Sequence, residues 1–162
     1  MPDSLIEQMG YALCNGPPAS ADASIGRNLS HIISRAGSQR AAARSLGVAE
    51  STLRGWLKGS TPRRTPQSIA SAARAWQSLG RYPEARAGGL VIKGIVRKSR
   101  DERERTIHVG RHIPKPVMGR ILTRWLHAEP DSKVEASIWR AIDKYYTADL
   151  DVGQIVAVWF EK

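Results

Sequence analysis

The most constraining feature of this sequence is the stretch 39–58, in which two short helical segments are separated by a glycine. Gly47 follows the first segment, where a turn between two helices needs a residue that tolerates a positive φ. The small residue Ala43 stands where two crossing helices come closest. The other apolar positions predict contacts that hold the two segments together: Leu46, Val48, Leu53 and Trp56. We therefore expect two short helices joined by a tight turn.

The same stretch has the spacing of a DNA-binding motif. Its pattern, Gln-x3-Ala-x3-Gly-Val-x4-Leu-x2-Trp, resembles the helix-turn-helix of repressor-type DNA-binding proteins. In that motif the second helix enters the major groove with its N-terminal end toward the base edges. The alternative interpretation is an ordinary pair of antiparallel helices within a helical bundle.

The resemblance assigns roles to the polar residues of the second helix. Arg54 is the best candidate for reading a base, because a guanidinium can bond guanine O6 and N7 together. Glu50 either accepts a hydrogen bond from a cytosine or favours the helix N-terminus through the dipole. Ser51 is placed to contact a base or a phosphate. The nearby cations are predicted to bind phosphate, unless they form a solvated basic face: Arg40, Arg44, Lys58, Arg63 and Arg64.

Composition agrees with a polyanionic partner. The 162 residues carry 25 Lys and Arg against 15 Asp and Glu, a net charge of +10, which points first to nucleic acid. A hydrophobic content of 41% excludes wholesale disorder. The single cysteine, Cys14, excludes an intrachain disulfide framework and a cysteine-based zinc finger. No apolar run approaches the length of a membrane span and no secretory signal is evident, so we expect a cytoplasmic, nucleoid-associated protein.

The chain changes character near Gly88, and we predict two domains, 1–87 and 88–162. The first is rich in Ala, Arg and Ser and should be a helical, DNA-binding helix-turn-helix bundle with a net charge of +6. The second has clustered Val and Ile and a net charge of +4, and its pattern predicts β-β-α-α-β. The expected fold class is therefore α+β.

The boundaries of the elements follow from capping and turn residues. In the first domain we expect a short amphipathic helix with Leu5, Ile6 and Met9, and then a longer helix ended by Gly37. The two helices of the stretch 39–58 follow, the first of them capped by Ser38, and a last helix starts with the N-cap Thr65 and Pro66. In the second domain the expected elements are strands at 90–97, 105–109 and 155–160, a charged turn at 98–104, a helix opened by Pro114 and Pro116, and a helix capped by Asp131 or Ser132.

No catalytic constellation is visible in the sequence. It has no phosphate-loop motif, no Gly-x-Ser-x-Gly and no His-Glu-x-x-His. His108 and His112 lack an acidic or cysteine partner at a spacing that suits a metal. The tryptophans lie at helical core positions and should be packing residues: Trp56, Trp76, Trp125 and Trp139. We expect a protein that is not an enzyme and uses neither metal nor cofactor.

The order of these features is similar to that of the telomere terminal proteins of Streptomyces-type linear chromosomes and plasmids. The resemblance covers most of the chain. It is carried by the segment Ala43–Gly59, the basic loop Thr61–Arg64, Gly89–Ile92, Arg105–Val109 with the prolines after it, and the closing strand.

This resemblance implies a function in DNA replication. Proteins of that family become covalently linked to DNA 5′ ends and supply a side-chain hydroxyl as primer, together with a telomere-associated partner protein and a DNA polymerase. It implies binding to double-stranded DNA and to the telomeric 3′ overhang. The hydroxyl at the corresponding turn is Ser99, ahead of Asp101 and Glu102, whereas the family pattern has threonine and a longer turn. Thr106 is the fallback candidate for covalent attachment.

Two other classes of function stay open. The first alternative is a helix-turn-helix transcriptional regulator of a plasmid or phage, in which the second half of the chain forms a homodimer. A palindromic operator with half-sites about one helical turn apart would favour the regulator. The third class is an enzyme that acts on DNA, which the missing catalytic residues make the least favoured.

Overall fold

A computed structural model describes residues 4–78, 88–98, 100–148 and 150–161. The helices and strands of these ranges, in chain order, are α1 (Leu5–Cys14), α2 (Ile25–Ala36), α3 (Gln39–Leu46), α4 (Glu50–Leu57), α5 (Pro66–Gln77), β1 (Leu90–Lys98), β2 (Asp101–Ile107), α6 (Lys115–Leu126), α7 (Asp131–Tyr145) and β3 (Asp151–Phe160). A short 3-10 turn, Val109–Arg111, precedes α6. Five helices are followed by a β-β-α-α-β unit, so the predicted α+β class and element order are confirmed. No helix in the described ranges is long and apolar enough to cross a bilayer.

Local capping residues set most of the helix boundaries. The Ser38 hydroxyl accepts a hydrogen bond from the Ala41 amide at 3.1 Å, and α3 begins at the next residue. The Thr65 hydroxyl accepts from the Ser68 amide at 3.1 Å, and Pro66 is the first residue of α5. Both predicted caps are confirmed.

The predicted cap of α7 is wrong. Pro130 precedes the helix, with no side-chain cap, and Asp131 is already the first helical residue. The fixed φ of proline is compatible with a residue that enters a helix, and the Asp131 carboxylate is favourable in the first turn through the helix dipole.

The three strands form one antiparallel sheet in the order β2-β1-β3. β2 begins at Asp101, four residues before the predicted start at Arg105, so much of the expected charged turn is strand. Cross-strand ion pairs explain the difference. Lys93 Nζ lies 2.9 Å from a Glu104 oxygen, and Arg97 Nε lies 3.2 Å from a Glu102 oxygen. Opposite charges across neighbouring strands stabilise pairing that the polar composition alone does not indicate.

A first hydrophobic core lies within the helical half, where α5 packs against α2, with α3 and α4 beside them. Its fully buried side chains come from every helix between α2 and α5. The cluster consists of Ala19, Leu29, Ile32, Ala42, Ala43, Leu46, Leu53, Trp56, Ile69 and Ala73. This core positions the helix pair α3–α4.

A second core lies between the sheet and α6 and α7, and it also contains α1. The α1 residues Leu5, Met9 and Leu13 are almost completely buried there. The Gln8 side-chain amide donates to the Ile155 carbonyl of β3 at 3.1 Å. The first helix therefore packs with the second half of the chain, across the proposed boundary at residue 87. The division at that residue stays a prediction.

One arginine connects the two cores. Arg74 of α5 is only 4% exposed. Its Nε donates to the Ala19 carbonyl at 2.7 Å and its Nη1 to the Trp125 carbonyl of α6 at 2.5 Å. The guanidinium carbon also lies 4.8 Å from the centre of the Trp125 ring. Burial lowers the pKa of Arg74, and the Asp131 carboxylate opposes part of that shift.

Candidate nucleic-acid interface

The turn between α3 and α4 has the conformation that the sequence predicts. Gly47 adopts φ 69°, in the left-handed region that favours glycine. Its amide donates to the Arg44 carbonyl at 3.1 Å, and the Val48 amide donates to the Ala43 carbonyl at 3.0 Å. These bonds satisfy carbonyls at the end of α3 and turn the chain into α4 within three residues.

The predicted contacts between the two helices are also present. Ala43 is 2% exposed and Leu53 is completely buried, while Trp56 is 9% exposed. Val48 is partly buried against the same core. The helix-turn-helix geometry therefore agrees with the sequence pattern in both the turn and the buried positions.

The opposite side of α4 and its C-cap carry a row of three exposed polar residues. Ser51, Arg54 and Lys58 are separated by three and four positions, which places them along one face of a helix. Leu53 and Trp56, which lie on the other face, attach the helix to the core. We call this exposed row Ser51–Arg54–Lys58 the recognition face.

Glu50 and Arg40 lie beside the start of α4. A Glu50 carboxylate oxygen is 3.8 Å from Arg40 Nε, and the two side chains are 39% and 81% exposed. An ion pair this exposed contributes little to stability, so both side chains remain available to a ligand. Both proposed roles of Glu50 remain, because it lies in the first turn of the helix and at its exposed end. Arg44, one turn along α3 from Arg40, is exposed.

The two arginines of the basic loop differ in their surroundings. Both residues are exposed, but Nη2 of Arg64 also donates to the Leu46 carbonyl at the end of α3. This bond ties the loop that precedes α5 to the turn of the helix pair. Arg64 therefore has a structural contact that its place in a run of basic residues did not indicate.

We expect Arg64→Met to lower the free energy of unfolding by about 1–2 kcal/mol, because a carbonyl at the end of α3 loses its charged donor. Arg63→Met removes the same charge from an exposed position and is the matched control, with an expected change within about 0.5 kcal/mol. Urea unfolding of the two variants measures the difference. Equal midpoints would contradict a structural role for Arg64.

The predicted covalent attachment site is only partly visible. Ser99 lies outside the described residues. The nearby acidic pair, Asp101 and Glu102, is exposed at the start of β2. Thr106 is exposed on β2, where it pairs with Lys93 of β1. Its strand position therefore does not bury the fallback hydroxyl.

The other residues singled out in the sequence are mostly packing residues. Trp125 and Trp56 are buried, and Trp76 and Trp139 pack against the two cores. In the described part of the chain no three His, Cys, Asp or Glu side chains are grouped so that they could hold a metal ion. These observations leave the recognition face and the cations around it as the candidate site.

The fold and this site together define a helix-turn-helix protein with an appended α+β unit. Its exposed second helix presents a hydroxyl and two cations on a body of net charge +10. No protein-family model, curated protein or solved structure matches the chain.

Proposed function

We propose that this protein binds duplex DNA with sequence preference through its helix-turn-helix. The observation that carries the proposal is the recognition face: Ser51 and Arg54 of α4 and its C-cap Lys58 are exposed, while Leu53 and Trp56 pack the other side of that helix against the core. A helix held in this way can enter a major groove without losing its packing. Arg54 reads a base, and its planar guanidinium suits the two acceptors of guanine.

The cations around the recognition face supply affinity. Arg40 and Arg44 lie on α3, and Arg63 lies in the loop before α5. All three are exposed, and we assign them to phosphates, which adds salt-dependent binding energy without sequence information. Arg64 adds to the same field while it holds the turn.

We expect Arg54→Ala to weaken binding to the preferred site by about 1–3 kcal/mol and to relax the preference, because a base contact is lost. The preferred site is first selected from a random duplex pool and then titrated by gel shift against a scrambled duplex. Arg63→Ala should weaken both duplexes alike, and Arg35→Ala, an exposed arginine of α2, is the charge-matched control. If Arg54→Ala keeps both affinity and preference, α4 is not the recognition helix.

Within this class we propose the more specific function of a terminal protein that caps and primes the ends of a linear replicon. The support is the resemblance in the order of motifs, and the acidic exposed start of β2 two residues after Ser99. A DNA polymerase supplies the metal ions for phosphoryl transfer, so the chain itself needs no catalytic constellation. The partners are duplex DNA with its 3′ overhang, a telomere-associated protein and that polymerase.

We expect Ser99→Ala to abolish covalent nucleotide labelling while DNA affinity is kept, because only the priming hydroxyl is removed. The protein is incubated with labelled deoxynucleotide, terminal DNA template, the partner protein and a polymerase extract. Thr106→Ala is the matched control, and it should be labelled as well as the unmodified protein. Labelling that survives Ser99→Ala but disappears with Thr106→Ala would move the attachment site to β2.

A transcriptional regulator that acts as a dimer is the second candidate. It is favoured by β3, which is an edge strand of the sheet and exposes Val156 to 41%. An edge strand with an exposed apolar residue can pair with a second copy of the chain. A dimer in sedimentation equilibrium, a palindromic selected site and no covalent nucleotide would together favour the regulator.

A further inference from the structure

A second basic surface lies far along the chain from the helix-turn-helix, between α6 and α7. The two helices leave a groove of about 390 Å³. Its apolar lining comes from Val117, Ile121, Ala141 and Tyr145, and the nearly buried Ile121 and Ala141 form its floor. Its remaining lining side chains are one serine and four cations: Ser137, Arg120, Arg124, Arg140 and Lys144. Among the described residues that line this groove, none is acidic.

The register of the two helices decides how these cations are arranged. Arg124 Nη1 donates to the Ser137 hydroxyl at 3.0 Å, near the connection between the helices. Because four residues join α6 to α7, the helices run in opposite directions and Arg120 lies near the level of Arg140. Arg140 and Lys144 are one helical turn apart on α7. Cations therefore stand on both rims of the groove.

The cations of this groove differ from those of the sheet in their ion pairing. Lys93 and Arg97 both have carboxylate partners across the strands. Within the described ranges, Arg120 and Arg140 form no salt bridge, and the Lys144 ammonium lies 5.2 Å from the centre of the Tyr145 ring. Like charges one turn apart on a helix repel each other. The arrangement is therefore unfavourable until an anion neutralises it.

We propose that the α6–α7 groove is a second DNA-contact surface, which binds the sugar–phosphate backbone of duplex DNA through Arg120, Arg140 and Lys144. This inference rests on the proposed function, since it extends the duplex contacts beyond the helix-turn-helix. Arg124 is the fourth cation, and it is already neutralised by Glu129, 3.2 Å from its Nε. It lies at the end of the groove near the α6–α7 connection, where it donates to Ser137, and is left out of the contact.

The shape of the groove favours a duplex backbone over other polyanions. Its floor residues Ile121 and Ala141 are each 5% exposed, so the surface has no large apolar side chain to insert into a lipid bilayer. Tyr145 is packed against the core and carries the Lys144 ammonium over its ring, so it is a poor platform for an unstacked base. What remains is a row of exposed point charges, which suits regularly spaced phosphates.

The groove and the helix-turn-helix belong to one body. The Gln67 side-chain amide, at the start of α5, donates to the His127 carbonyl at the end of α6 at 3.1 Å. Arg74 makes the deeper connection between the same two helices. Contacts at the groove therefore add to those of the helix-turn-helix within a single complex, with little additional ordering of the chain.

The test measures the salt dependence of duplex binding by the full chain. The groove variant combines Arg120→Gln, Arg140→Gln and Lys144→Gln. The control variant combines Arg35→Gln, Lys115→Gln and Lys133→Gln, which removes the same charge from exposed positions outside both surfaces. The duplex extends the selected site by about 20 base pairs, two helical turns, on each side. Thermal unfolding confirms that both variants fold.

We expect the groove variant to reduce the slope of log affinity against log salt by about 2–3, because each lost phosphate contact removes about 0.9. The control variant should change it by less than about 1. A version with Arg120→Lys and Arg140→Lys keeps the charges and should retain the slope. Equal slopes for the groove and control variants would overturn the proposal.

Other outcomes separate this inference from the proposed function. If Arg54→Ala changes nothing but the groove variant loses the duplex, the helix-turn-helix assignment fails and the groove assignment stands. If the groove variant loses only single-stranded DNA of the same length, the commitment to duplex is wrong. If it loses only binding to vesicles of phosphatidylserine and phosphatidylcholine, the surface belongs to a membrane and the proposal is overturned.

Discussion

Replacing Arg74 with methionine is expected to lower the free energy of unfolding by about 2–4 kcal/mol. Methionine has a similar length and fills the space, but it donates no hydrogen bond. The Ala19 and Trp125 carbonyls would lose their charged donor, although the Ala128 amide would still donate to the Trp125 carbonyl at 2.9 Å. A hydrogen bond from a charged donor contributes about 1.5–3 kcal/mol, and part of the loss of two such bonds is offset because the charged group no longer has to be desolvated.

Urea unfolding followed by both tryptophan fluorescence and circular dichroism measures this change. Arg74→Lys is the informative companion, because it keeps the charge but cannot supply the two donors in the same fork. It should recover only part of the loss. Asp131→Asn should have a much smaller effect, since that carboxylate is half-exposed and 3.8 Å from Arg74 Nη2. Equal stability of Arg74→Met and the unmodified protein would show that the two cores are not joined by this side chain.

The second large effect is expected for Gly110→Ala, with a loss of about 3 kcal/mol or more. A Cβ at this position would lie 2.5 Å from the carbonyl oxygen of Gly88, 2.6 Å from its carbonyl carbon and 2.8 Å from the Leu90 amide nitrogen. All three are backbone atoms, which cannot move by rotating a side chain. The 3-10 turn Val109–Arg111 would have to shift away from the start of β1.

Gly119→Ala is the matched control for the glycine prediction. Gly119 lies within α6, and a Cβ there meets no heavy atom within 4 Å. The same chemical change should therefore stabilise the protein by about 0.5–1 kcal/mol, because alanine loses less backbone entropy than glycine in a helix. The pair is measured by thermal unfolding. If Gly110→Ala unfolds at the same temperature as Gly119→Ala, the start of β1 does not lie close enough to the 3-10 turn for a Cβ at position 110 to clash with it.

Much of the candidate site could be predicted from the sequence because its determinants are local. The turn at Gly47 depends on one residue with a positive φ, and the caps Ser38 and Thr65 bond amides three residues away. Helical spacing places Arg54 on the side of α4 opposite the buried Trp56 whatever the rest of the chain does. The recognition face could therefore be named in advance, although its function as a DNA-binding surface remains a proposal.

Other features of the site could not be read in this way because they depend on distant partners. Arg64 looked like one more phosphate-binding cation, but it donates to a carbonyl 18 positions earlier in the chain. Arg74 carries no local signal that distinguishes it from an exposed arginine, but it is almost completely buried. Nothing in a residue's own neighbourhood distinguishes an arginine that will face solvent from one that will find two carbonyls in another part of the fold.

The sequence by itself determined the α+β class, the order of helices and strands and the geometry of the α3–α4 turn, because hydrophobic period and capping act over a few residues. Only the tertiary structure decided that α1 joins the second core, that β2 starts as early as Asp101, and that four cations of α6 and α7 line one groove. An amphipathic pattern indicates which face of an element is buried, but it does not indicate which other element that face packs against. That choice depends on the complementary shape and the hydrogen-bond partners that distant segments offer once the chain is folded.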